Sequence, residues 1–144
     1  MGRYHSHALR QGRQSLAGHC YLVTIAARDR QPRFAEFQHA ACACSSFYAD
    51  SVARHANTLA FVVMPDHVHW LLQVNGNLSE AVRVYKARVS CLLGERIWQD
   101  GFHDRGVRRE EDLRPIARYI VANPLRGGLV DNILDYPYWN AAWL

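Results

Sequence analysis

Apolar positions change period along this chain, and the changes mark its elements. Cys20–Ala26 is dense in aromatic and β-branched residues, which favours a strand. Between residues 34 and 55, Phe37, Ala41, Cys44, Phe47, Tyr48 and Val52 recur at three- and four-residue steps, the stripe of an amphipathic helix lying on a sheet. Strands are expected next over 58–64 and His67–Val74, separated by the turn signal Pro65-Asp66. Asn77-Leu-Ser-Glu80 has the form of a capping box, with Asn77 as N-cap and Glu80 at N3. The helix it opens carries Val82, Tyr85, Val89 and Leu92 on one side, with Arg83, Lys86 and Arg88 on much of the remainder. After the Asp100-Gly101 turn, residues 102–107 read as a further strand. Asp112 is placed to cap a last helix, with Pro115 in its first turn, where the missing N–H costs little. That helix is expected to end near Ala122, because Asn123 precedes Pro124 and is biased away from helical backbone. The order strand, helix, strand, strand, helix, strand, helix predicts an α+β fold: ferredoxin-like, a mainly antiparallel sheet with helices packed on one face.

Composition adjusts this outline at its start. Residues 1–18 carry Arg3, Arg10 and Arg13 with His5 and His7 and few large apolar side chains, so they read as a basic N-terminal arm. Residues 19–144 then form one domain, large enough to bury a core without covalent staples. No apolar run approaches the ~18 residues of a membrane span, and the N-terminus lacks the apolar core of a signal peptide, so a soluble cytoplasmic protein is expected. Of the four cysteines, only Cys42 and Cys44 lie close together, and residues two apart on a helix do not face each other. They read as small core residues. The net charge of +4 and a pI near 9.1 favour a polyanionic partner. Every one of the 17 basic side chains except Lys86 is arginine, which suits a phosphate-gripping surface and suits a GC-rich genome equally well.

Chemistry concentrates in two segments. In Met64-Pro-Asp-His-Val-His-Trp-Leu-Leu72, a strand would project His67 and His69 from one face and Val68 and Trp70 from the other. Two imidazoles at i and i+2 make a two-point metal chelate; alone they fit a pair of histidines on a solvated face just as well. In Ala117-Arg-Tyr-Ile-Val-Ala-Asn-Pro-Leu125, Tyr119 and Asn123 lie one helical turn apart, while Ile116 and Ile120 form the neighbouring stripe that should meet the sheet. Tyr119 is thereby set at the margin between core and solvent, where an amphipathic tyrosine needs no further role. Taken together, the segments suggest a reaction. A divalent ion on His67 and His69, with the Asn123 side-chain oxygen as third ligand, would polarise a phosphodiester for attack by Tyr119. The product would be a covalent phosphotyrosine, which conserves bond energy for rejoining strands. A donor set of N and O without thiolate suits Mg²⁺ or Mn²⁺.

These residues resemble the single-tyrosine HUH transposases, in particular the branch associated with repetitive extragenic palindromes of bacterial genomes. Tyr21-Leu-Val-Thr24 and Arg30-x-Pro-x-Phe34 are similar to the family's first strand and loop, and Met64-Pro-Asp-His-Val-His69 to its metal motif, where Asn is common at the position of Asp66. Trp98-Gln-x-Gly-Phe-x-Asp-Arg105 with Val107-Arg108 resembles its fourth strand, Tyr119-Ile-x-x-Asn-Pro-Leu-Arg-x-Gly-Leu-Val130 its nucleophile helix, and Tyr136-Pro-x-Trp139 its closing segment. The five matches stand in order along nearly the whole chain. The resemblance implies cleavage of single-stranded DNA beside an imperfect hairpin through a 5′-phosphotyrosine, with Mg²⁺ or Mn²⁺ held by His67, His69 and Asn123 and with Tyr119 as nucleophile. It also gives the basic arm, with Arg3, Arg10 and Arg13, a part in reading the hairpin. Arg83, Lys86, Arg105 and Arg108 become candidate phosphate contacts. The partner is then single-stranded or hairpin DNA, no membrane is involved, and the protein acts as a monomer or a homodimer. The carboxylate of Asp66 in place of Asn is expected to cap the turn.

Two other classes stay open on the residues alone. A ferredoxin-like sheet also serves as a non-catalytic platform for nucleic acid, so a palindrome-binding module derived from a transposase would keep the arm and arginines. A metal-dependent phosphodiesterase using water would leave Tyr119 a bystander.

Overall fold

The structure, a computed structural model, describes residues 18–143. Its strands are β1 (Cys20–Ala26), β2 (Ala56–Met64), β3 (His67–Val74), β4 (His103–Val107) and β5 (Trp139–Ala141), and its helices are α1 (Phe37–Ser46), α2 (Asp50–Ala53), α3 (Leu78–Leu93), α4 (Leu113–Val121) and α5 (Asn123–Arg126). All strand pairs are antiparallel, in the order β4-β1-β3-β2-β5. The first four strands and the helices between them give the expected α+β, ferredoxin-like arrangement. No helix among the described residues is long and apolar enough to cross a membrane. The arm residues Arg3, Arg10 and Arg13 lie outside the described residues.

Alternation along β3 divides the core in two. Val68, Trp70, Leu72 and Val74 join Val23, Ile25, Phe61 and Val63 in one cluster, covered by α1 and α3 through Ala40, Ala43, Phe47, Leu78, Ala81, Val82, Tyr85 and Val89. Its centre is aromatic: Phe47 stacks at 4.5 Å on Phe61 and at 4.3 Å on Tyr85. Two polar groups buried there are matched, Tyr85 Oη donating to the Ala43 carbonyl at 3.0 Å and Trp70 Nε1 to Thr58 Oγ1 at 2.9 Å.

The opposite sheet face buries Leu71, Ala60, Val62 and Met64 under Leu113, Ala117, Ile120 and Val121 of α4. The expectation of helices on one face therefore holds for α1 and α3 but not for α4. The cause is visible in β2, whose last five residues, Ala60 to Met64, are all buried and so need cover on both sides.

Four local details also differ from expectation. Residues 34–55 form a short turn and two helices instead of one helix, because the chain breaks at Phe47–Ala49 to seat Phe47 among the aromatics. The core-facing stripe of α1 is Ala40 and Ala43, leaving Phe37 exposed. Asn77 caps α3 as expected, its Oδ1 accepting from Glu80 N at 3.0 Å, but Asp112 caps nothing: a 3-10 turn over Glu110–Asp112 runs straight into α4. The last long helix ends at Val121 with Ala122 as its C-cap, as expected, but Asn123 opens a further short helix, α5, with Pro124 in a first-turn position that needs no N–H.

Candidate functional site

Sheet register assembles the site before any side chain is considered. His69 lies opposite Thr24 of β1 and Val62 of β2, and His67 opposite Ala26 and Met64. Paired residues project from the same face, so both histidines share the face that α4 covers. Their rings stand edge to face, and their Nε2 atoms are 3.2 Å apart.

Each ring is held from behind. His67 Nδ1 lies 2.7 Å from Asp66 Oδ1, where an Nδ1–H donates to the carboxylate. The same carboxylate accepts from Arg30 Nε at 3.0 Å, and Arg30 Nη2 is 3.5 Å from His67 Nδ1. Arg30 reaches this point from a backbone with φ 53° next to Asp29 with φ 56°, a left-handed pair of non-glycine residues whose strain sits beside the site. His69 Nδ1 lies 2.9 Å from Thr24 Oγ1. With both rings protonated on Nδ1, the two Nε2 lone pairs face each other at 3.2 Å, and only a cation or a proton between them relieves that contact.

Electrostatics keep His69 unprotonated. Burial, reinforced by the charges of His67, Arg126 and Arg30, lowers His69 to a pKa of about 3, so the ring is neutral and able to ligate at ordinary pH. Burial alone would raise the Asp66 carboxyl. Hydrogen bonds from His67 and Arg30, with their charges, outweigh burial and hold Asp66 below its ordinary value. Asp66 thus orients a histidine; no hydrogen bond to its own turn supports the capping role expected for it. Among the described residues no group of three or more His, Cys, Asp or Glu is placed to hold a metal. Asn123, the third ligand expected from the sequence, is not of those residue types.

Tyr119 and Asn123 arrive on α4 and α5. Ile120 is buried against the sheet and Ile116 packs at its edge, which turns Tyr119 outward to 63% exposure. The Arg126 guanidinium lies 3.8 Å over the Tyr119 ring, and its Nη2 donates to the Tyr119 carbonyl at 2.7 Å and to Asn123 Oδ1 at 2.6 Å. Asn123 Nδ2 is buried with no hydrogen-bond partner. The turn after α5 presses on the histidine end of β2: a Cβ at Gly127 would lie 3.3 Å from the Asn123 carbonyl oxygen and 3.8 Å from Met64 Cε.

The candidate phosphate contacts separate. Arg105 on β4 is exposed and pairs with Leu22, so it projects from the histidine face, and Arg108 is exposed just beyond the strand. Arg83 and Lys86 lie on α3, across the sheet from the histidines. Arg83 forms a bidentate pair with Glu80 at 3.0 and 2.6 Å, and Lys86 Nζ donates to the carbonyls of Gln99 and Gly101 at 3.0 and 3.1 Å. Sequence reasoning gave no role to Thr24, Arg30 or Arg126. Thr24 becomes visible only through strand register, and Arg126 only because α5 continues the helical path past Pro124.

No profile of a known protein family matches the chain. It is 32% identical over 83 residues to the REP-associated tyrosine transposase of Escherichia coli K12, a match covering 55% of this chain and about half, 50%, of that protein's length. It is 26% identical over 145 residues to a candidate REP-associated tyrosine transposase of Haemophilus influenzae, covering 84% of this chain and 78% of the relative. Among solved structures, a REP-associated tyrosine transposase bound to a REP hairpin superposes with a TM-score of 0.70 at 25% identity, over 86% of this chain and 77% of that one. A candidate transposase from Deinococcus radiodurans, with a TM-score of 0.51 at 17% identity over 76% of this chain and 93% of its own, shares the fold.

Proposed function

We propose that the chain, which is similar in sequence and fold to REP-associated tyrosine transposases, nicks single-stranded DNA at hairpin sites and transfers the strand through Tyr119. The observation that carries this reading is the Nε2 pair of His67 and His69 at 3.2 Å on the sheet face covered by the tyrosine-bearing helix.

In this reading His67 and His69 hold Mg²⁺ or Mn²⁺ through Nε2, with Asp66 and Thr24 fixing the rings, and Asn123 supplies the third ligand through Oδ1. The ion, when bound, supplies Lewis-acid polarisation of the scissile phosphodiester and charge stabilisation of the leaving oxygen. The Tyr119 oxygen forms a bond to phosphorus, the bond from phosphorus to the 3′ oxygen breaks, and the DNA leaves a free 3′-hydroxyl while its 5′-phosphate stays on the tyrosine. A later attack by a 3′-hydroxyl reverses these bonds and rejoins a strand, with no net change in the number of phosphodiesters. Arg105 and Arg108, exposed on and just after β4, would grip the DNA backbone, and the basic arm with Arg3, Arg10 and Arg13, outside the described residues, would add its charge to that grip. Arg83 and Lys86, engaged on the far side, would touch only DNA that wraps around α3.

The test is incubation with Mn²⁺ and single-stranded hairpin DNA followed by a denaturing gel. A covalent protein–DNA band, absent with Tyr119→Phe, is expected. Cleavage without an adduct and insensitive to that substitution would instead make the protein a hydrolase, and binding without cleavage a non-catalytic module.

A further inference from the structure

Arg126 makes three contacts with the two residues that the proposed reaction needs from α4 and α5. It covers the Tyr119 ring, bonds the Tyr119 carbonyl, and bonds the very oxygen of Asn123 that a metal ion would require. The Asn123 amide is therefore pinned with its oxygen outward and its nitrogen inward, and that nitrogen is buried without a partner. An orphaned buried donor is costly, so the protein maintains a strained arrangement here only because Arg126 enforces it. Turning the amide over would place the oxygen inward and Nδ2 against the guanidinium, donor against donor. While Arg126 donates to Oδ1, one of that oxygen's two lone pairs is taken and the guanidinium charge opposes a second cation there, so Asn123 becomes a good ligand once Arg126 has moved.

We propose that Arg126 is a positioning residue that occupies the Asn123 oxygen as a latch until a DNA phosphate draws the guanidinium away. A phosphodiester is the natural competitor, since it accepts both arms of the guanidinium fork and carries a full charge, where the amide offers one neutral oxygen. Arrival of DNA and completion of the metal site are thereby coupled: free protein holds the ion by two histidines, and DNA-bound protein by two histidines and Asn123. This inference rests on the reading of His67, His69 and Asn123 as the metal site, and it adds the order in which that site is completed.

The experiment is Mn²⁺ titration of the DNA-free full chain by calorimetry, in a double-mutant cycle of Arg126→Met and Asn123→Ala. Methionine keeps an aliphatic stem over the Tyr119 ring, and Arg126 is exposed, so the fold has little to lose. Arg126→Met is expected to bind Mn²⁺ about three- to tenfold more tightly than wild type, the worth of one released hydrogen bond. That gain should vanish when Asn123→Ala is also present. Adding single-stranded hairpin DNA to Tyr119→Phe should tighten Mn²⁺ binding, and not when Asn123→Ala is combined with it. Equal affinity of wild type and Arg126→Met would overturn the latch. So would a gain that persists in the Asn123→Ala background, because it would reflect only the removal of a positive charge. If His67→Ala binds Mn²⁺ as well as wild type does, the metal site itself is wrong, and the latch falls with it.

Discussion

Replacing Asp66 separates what the metal site owes to ring orientation from what it owes to charge. The carboxylate accepts from His67 Nδ1 at 2.7 Å and from Arg30 Nε at 3.0 Å. Asp66→Ala removes both bonds: His67 loses the partner that keeps its proton on Nδ1, and Arg30 becomes an unpaired cation within 3.5 Å of that ring. Loss of such an outer partner weakens metal binding by roughly 10- to 100-fold, or about 1.4–2.7 kcal/mol. The Asp66 side chain is 29% exposed, so water screens part of the charge effect and the lower end, about tenfold, is expected. Asp66→Asn keeps an oxygen able to accept from Nδ1–H and should stay within about threefold of wild type if orientation dominates. Calorimetric titration with Mn²⁺ of wild type and both variants measures the series directly. Wild-type affinity in Asp66→Ala, with His67→Ala binding far more weakly, would refute the role given to this carboxylate. An Asn variant as weak as the Ala variant would shift the effect from tautomer control to charge.

Thr24→Val is nearly isosteric and removes the oxygen 2.9 Å from His69 Nδ1, so Mn²⁺ affinity should fall by about tenfold; an unchanged titration would show that His69 needs no orienting partner. Tyr85→Phe removes the hydroxyl that donates to the Ala43 carbonyl in the core and should lower urea-unfolding stability by about 1 kcal/mol without changing the slope of the transition. A loss below about 0.3 kcal/mol would mean that water replaces the hydroxyl. Burial raises the Cys44 thiol to about 12, whereas Cys91 is exposed. Iodoacetamide at pH 8 should therefore modify Cys91 first in the folded protein and reach Cys44 only on unfolding, and peptide mass mapping reads the order.

The parts of the fold that were legible in sequence are those where one local signal decides. Asn77 with Glu80 marks a helix start regardless of context, and Pro65-Asp66 separates two strands whose residues favour no other state. His67 and His69 share a face because a strand has period two, which no packing alters. What stayed hidden depends on contacts distant in sequence. The break at Phe47 exists because Phe61, Tyr85 and Trp70 surround that ring, and β5 forms because Ala60 to Val62 offer a free edge to Trp139–Ala141. The placement of α4 on the second face was foreshadowed by the unbroken apolar run of β2, a signal easily read as ordinary strand composition. Tyr119 and Asn123 were legible as neighbours one turn apart. Their shared arginine was not, since Pro124 argued for the end of a helix just where the chain continues to Arg126.

The central claim is that Tyr119 becomes covalently joined to DNA under the direction of the histidine pair. Its most direct test is peptide mass spectrometry after incubation with Mn²⁺ and hairpin DNA, followed by nuclease and tryptic digestion. A nucleotide 5′-phosphate is expected on the peptide containing Tyr119, present in wild type and lost in His67→Ala. A free 5′-phosphate on cleaved DNA with unmodified Tyr119, or an adduct on any other residue, would contradict it.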